Sequence, residues 1–69
     1  MNRYEIIIYW SDEDNCFIAE VPELPGCMAD GKNRTEVLQN VETVISEWIE
    51  TAELEGREIP VPKGKLVYA

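Results

Sequence analysis

The sequence predicts a small α+β domain in which short strands, in the order β-β-β-α-β, form an antiparallel sheet packed against one long amphipathic helix. Two observations carry that prediction. The first half of the chain alternates short β-branched and aromatic runs with polar turn formers, the pattern of paired strands. From Asn33 onwards, apolar residues recur at three- and four-residue steps, the period of a helix with one buried stripe. No internal repeat, low-complexity tract or break in composition divides residues 1–69, so the whole is read as one domain.

Residues 4–10 read Tyr-Glu-Ile-Ile-Ile-Tyr-Trp, rich in strand formers and too short for a free-standing helix, and give the first strand. Its even positions Tyr4, Ile6, Ile8 and Trp10 are expected on the core side, because side chains of a strand alternate between faces. Ser11-Asp12-Glu13-Asp14-Asn15 are turn formers, and the run at 16–21 completes a hairpin. Phe17, Ala19 and Val21 then share the core side, while Ile18 joins Ile7 and Tyr9 on the opposite face. In Pro22-Glu23-Leu24-Pro25-Gly26 each proline removes a ladder donor and the glycine admits a positive φ, so the segment is a shaped loop. A third strand is expected at 27–29, with Asp30-Gly31 turning the chain into the helix.

Asn33 followed three residues later by Glu36 is a variant of the capping box. Val37, Leu38, Val41, Val44, Ile45, Trp48, Ile49 and Ala52 form the apolar stripe, Glu36, Glu47, Glu50 and Glu53 lie outside it, and Gly56 is placed to end the helix. The helix is therefore expected from Arg34 to Leu54. Ile59-Pro60-Val61-Pro62 must be extended, since a residue before proline leaves the α region, and Leu66-Val67-Tyr68 is the expected last strand.

Fourteen acidic residues against six basic ones give a net charge of −8 in 69 residues. Affinity for DNA or RNA comes largely from Lys and Arg neutralising phosphates, so direct nucleic-acid binding is not expected, and a basic protein is the natural complement. Cys16 and Cys27 fit no metal or redox spacing and the chain has no histidine, which points to free thiols and no metal site. Asn2, Arg3 and Glu5 interrupt any apolar run at the start, and no stretch approaches the roughly 20 residues of a membrane span. A cytoplasmic protein is expected.

The run Val21-Pro22-Glu23-Leu24-Pro25-Gly26-Cys27 after a hairpin with an acidic turn resembles the V-P-D-L-P-G-C signature of HicB-family antitoxins. Asp30-Gly31, Glu36 with Asn40, Trp48, and Ile59-Pro60-x-Pro62 follow in the family's order, so the resemblance covers essentially the whole chain. It implies a partial RNase H-like fold, self-association into homodimers or homotetramers, and a partner: a HicA-type toxin, a small basic ribonuclease that cleaves mRNA and is masked by the antitoxin. Longer members continue into a helix-turn-helix or ribbon-helix-helix domain, whereas this sequence ends at Ala69 and resembles the short form. Val37, Val41 and Val44 stand where alanines are frequent in the family's helix.

Against this background the chain is read as a binding protein of a type II toxin–antitoxin pair, not an enzyme and without cofactor. The alternative is a solitary HicB-like binding or regulatory module with no toxin. Asp12, Glu20 and Asp30 invite a paired-metal reading, but with so many carboxylates some proximity arises by chance, and solvated turns explain them. Pro22, Pro25 and Gly26 are expected to shape the loop, a role compatible with contacting a toxin. Trp48 falls inside the apolar stripe and is expected in the core. Trp10, at a strand end, and Asp12 beside it are the candidates for an exposed contact, since tryptophan is enriched at binding hot spots. The apolar face of Ile7, Tyr9 and Ile18 is expected to be covered by a second copy.

Overall fold

The computed structural model describes residues 3–63. Within them lie β1 (Ile7–Ser11), β2 (Cys16–Glu20), β3 (Met28–Gly31) and α1 (Arg34–Leu54). The strands form one antiparallel sheet in the order β1-β2-β3, and the helix packs across one of its faces. This is the α+β architecture the sequence predicts; the expected last strand at 66–68 lies outside the described residues.

Strand alternation works as expected. Ile8 pairs with Ala19, and Ala19 with Ala29, on the helix side of the sheet. Tyr4, Ala19, Val21, Leu24, Cys27, Val37, Val41 and Ile45 form the buried core, with Ile6, Ile8, Phe17, Val44, Trp48 and Ile49 packed around it. The helix runs over the residues its caps define. The Asn33 side-chain oxygen accepts from the Glu36 N–H at 2.8 Å, while the Glu36 carboxylate accepts from the Lys32 N–H at 3.0 Å, one residue before the usual capping-box partner. At the other end Gly56 has φ +70°. Its N–H bonds the Glu53 carbonyl at 3.2 Å and the Arg57 N–H bonds the Ala52 carbonyl at 2.8 Å, the two bonds of a Schellman motif.

Several boundaries differ from the sequence reading, each for a reason of pairing. β1 begins at Ile7 rather than Tyr4, because β2 ends at Glu20, the partner of Ile7. Beyond it Val21 commits its N–H to the Cys27 carbonyl, so residues 4–6 have no ladder to join. β3 is shifted to Met28–Gly31: Asp30 and Gly31 do not turn the chain but pair with Ile18 and Phe17. Gly31 is needed for close approach and not for a turn, since a Cβ there would stand 2.6 Å from the Val37 backbone nitrogen. Trp10, expected on the core side, is 46% exposed at the end of β1, beyond the cover of the helix. Leu38, at the edge of the predicted stripe, is 39% exposed. Trp48 is half-buried and not enclosed.

Candidate functional site

The sequence-predicted site residues fall into two groups that the fold holds apart. Trp10 and Asp12 sit at the β1–β2 turn, whereas Pro22, Pro25 and Gly26 follow the far end of β2. A strand of this length separates them by about 3.3 Å per residue, so they form no single site.

At the turn, residues 12–15 carry three acids in a row and end on Asn15, whose φ of +53° is a left-handed conformation that asparagine tolerates. Ser11 and Asp14 fix the turn through reciprocal hydrogen bonds of 3.0 and 3.2 Å. The Trp10 indole N–H donates to the Asp12 carboxylate at 2.9 Å. Its ring meets Phe17 edge to face at 5.1 Å, and the Arg34 guanidinium lies 5.0 Å from the centroid of the same Phe17 ring. An exposed tryptophan is thereby held by an aromatic neighbour and a carboxylate, and that neighbour is in turn stacked by a cation.

At the other end, residues 21–27 fold as two consecutive turns. The Leu24 N–H bonds the Val21 carbonyl at 3.1 Å and the Cys27 N–H bonds the Leu24 carbonyl at 3.0 Å. Each proline occupies the second position of its turn, where its fixed φ is favourable, and Gly26 supplies φ +78° at the third position of the second turn, as type II geometry requires. Leu24 points inward and is fully buried. The Trp48 indole donates to the Pro25 carbonyl at 3.0 Å, and Arg57 lies over the Trp48 ring at 5.4 Å. The Glu23 carboxylate accepts from the Lys63 N–H at 3.0 Å and, more weakly, from the Glu5 N–H at 3.4 Å, while the Tyr4 hydroxyl donates to the Pro60 carbonyl. The loop is a knot that ties helix, amino-terminal segment and carboxy-terminal segment together.

Between the two ends lies the sheet face away from the helix. Ile7, Tyr9 and Met28 are exposed there, at 37%, 41% and 49%, around a half-buried Ile18. The register places Glu20 between Ile7 and Met28, and Asp30 beside Ile18. Glu20 accepts a hydrogen bond from the Tyr9 hydroxyl, which pushes the phenol pKa up, aided by partial burial and by the charges of Glu20 and Asp14. Cys16, on the same face, is a free thiol whose pKa is raised by burial first and then by Asp30 and Asp14. A shallow depression lined by Glu20, Met28, Pro22, Pro25 and Gly26 joins this face to the loop. Ile7, Tyr9, Ile18 and, two residues on, Glu20 are legible on it from alternation alone; Met28 and Asp30 are not, because the register of β3 is set by the closure of the 21–27 loop.

Among the described residues, no group of three or more His, Cys, Asp or Glu side chains is arranged to hold a metal ion, and no helix is long and apolar enough to cross a membrane. Asp12 binds Trp10, Glu20 binds Tyr9, and Asp30 lies on the outer sheet face beside Ile18.

The model of a family described as UPF0150-like matches residues 2–60. A UPF0150 protein of Thermoplasma acidophilum is 38% identical over 58 residues, covering 84% of this chain and 83% of its own. Two UPF0150 proteins of Synechocystis are each 39% identical, over 84% and 81% of this chain and 78% and 83% of theirs. No solved structure matches significantly.

Proposed function

Since the chain belongs to the UPF0150 family, we propose that it is a binding protein of the antitoxin kind, which captures and silences a small basic ribonuclease of the HicA type and cleaves no RNA itself. The observation that carries this reading is how the HicB-like signature residues are used. Scattered along the sequence, they are tied to one another or to adjoining residues of the fold. Trp48 holds the Pro25 carbonyl, Asn40 donates to the Asp30 carbonyl at 2.8 Å, Gly31 makes room for Val37, Glu36 caps the helix with Asn33, and Tyr4 holds Pro60. The pattern therefore specifies one framework, and the resemblance rests on that framework and not on a lone motif.

Charge supports the partner class. A net charge of −8 on 69 residues repels a phosphate backbone and attracts a cationic protein, so encounter with such a partner is electrostatically steered. The association rate then falls as added salt shortens the Debye length below about 8 to 10 Å, while a packed interface keeps the complex together afterwards.

The test is to co-express the chain with the small basic ribonuclease encoded beside it, follow growth and mRNA integrity, and titrate the purified pair against RNA. Growth is expected to be restored and cleavage to stop near one equivalent. Cleavage that continues with this protein in molar excess, or the lack of such a neighbouring gene, defeats the reading and leaves a solitary binding module. RNA cleaved by the purified protein alone defeats it from the other side.

A further inference from the structure

We infer that the sheet face opposite the helix, centred on Ile7, Tyr9, Ile18 and Met28 and flanked by Glu20 and Asp30, is the surface that takes the cationic protein partner. The inference rests on the function proposed above and names where that function is exercised.

The strands contain no lysine or arginine at all: β1 reads IIYWS, β2 CFIAE and β3 MADG. The face they present is an apolar patch whose charged groups are both acids, and the turn that follows β1 adds Asp12, Glu13 and Asp14. Two of the described arginines are engaged away from this face. Arg34 stacks on Phe17, and Arg57 lies over Trp48 and pairs with Glu55 at 2.9 Å. This distribution discriminates between occupants. A second copy seated face to face opposes strands that carry Glu20 and Asp30 but no Lys or Arg, and like charges opposed across an interface are unfavourable. A partner that offers an apolar centre rimmed by Lys or Arg meets both requirements, with Tyr9 already fixing the Glu20 carboxylate in place. The depression bordered by Glu20, Met28, Pro22 and Pro25 provides a seat for one long cationic side chain.

The experiment measures affinity of the full chain for the neighbouring basic ribonuclease by calorimetry, using wild type, Glu20→Lys/Asp30→Lys, Met28→Lys, and the control Glu50→Lys/Glu53→Lys. The two double variants shift the net charge equally. The control pair lies on the helix, away from its buried stripe. Thermal melts confirm that each variant folds, and exposed Met28 gives a readout if the strand pair perturbs the sheet. The face variants are expected to weaken binding by about tenfold or more and the control by less than about threefold. If wild type binds and both double variants weaken it alike, only net charge matters and this face is not the contact, although the proposed function stands. If wild type binds nothing, the function fails and this inference with it. Sedimentation showing a wild-type dimer that Met28→Lys dissociates assigns the face to a second copy and overturns the inference.

Discussion

The two connections that leave β2 are built on opposite principles. The 12–15 turn is polar, exposed and held by bonds among its own neighbours, whereas the 21–27 loop buries Leu24 completely and reaches the helix and both ends of the described chain. The contrast teaches that the most recognisable stretch of this sequence is chiefly architectural. Recognisability came from turn chemistry, with prolines and a glycine at positions that little else can fill, and such residues act by fixing the backbone. Residues that face solvent at the other end and on the outer sheet are less constrained by the fold and correspondingly freer to serve a partner.

The largest effect that would break this contrast is at Leu24. Leu24→Ala is expected to remove about 2 to 5 kcal/mol, a large share of the roughly 5 to 15 kcal/mol typical of a folded protein. Trp10→Ala at the other end is expected to remove only about 0.5 to 1.5 kcal/mol, chiefly its edge-to-face contact with Phe17. Urea denaturation of the two side by side decides it, and equal losses would mean that the turn is as structural as the loop.

Next in size is Gly26→Ala, which forces a left-handed residue with a Cβ and is expected to destabilise by about 1 to 2 kcal/mol. No atom lies within 4 Å of that added Cβ, so backbone strain alone is being read. The matching change at the turn, Asn15→Gly, relaxes a positive φ and is expected to stay within about 0.5 kcal/mol of wild type. Trp48→Phe keeps most of the ring but loses the bond to the Pro25 carbonyl, and about 1 kcal/mol is expected to go with it. A wild-type melting curve for Trp48→Phe would show that the helix does not anchor the loop through that bond.

The smallest effect is a pH dependence. Burial, and then the Glu23 carboxylate, push the Tyr4 phenol above its ordinary pKa of 10.0. A group whose folded pKa is raised contributes its stability in full below the unfolded value and loses it as pH climbs through the folded one. The melting midpoint is therefore expected to decline above pH 10.0, and Tyr4→Phe to flatten that decline. An identical slope in Tyr4→Phe would remove Tyr4 as its source.

The helix was legible to the residue because its ends are local events: Asn33, Glu36 and Gly56 act within a few positions of one another. Strand faces were legible for the same reason, since alternation needs no knowledge of the partner. Strand boundaries were not, because where β1 starts is decided by what Val21 bonds to at Cys27. Nor was the purpose of Gly31, which depends on a helix arriving from six positions downstream to press Val37 against it. Of the candidate site, Trp10 and Asp12 were legible as an exposed pair, while the association of Met28 and Asp30 with Tyr9 and Glu20 waited on the register of β3.

Glu23 also bears on the order in which the molecule assembles. Its backbone partners Glu5 and Lys63 are 18 and 40 positions away, and Tyr4 reaches across 56 to Pro60. The hairpin and the capped helix close within a few residues of themselves. Closing a loop loses chain entropy that grows with its length, so the clamp on the chain ends is expected to form last and to open first, without requiring the sheet to separate. In native-state hydrogen exchange the amides of Glu5 and Lys63 should then report a local opening of low free energy, well below that of Ala19 or Val41 in the core.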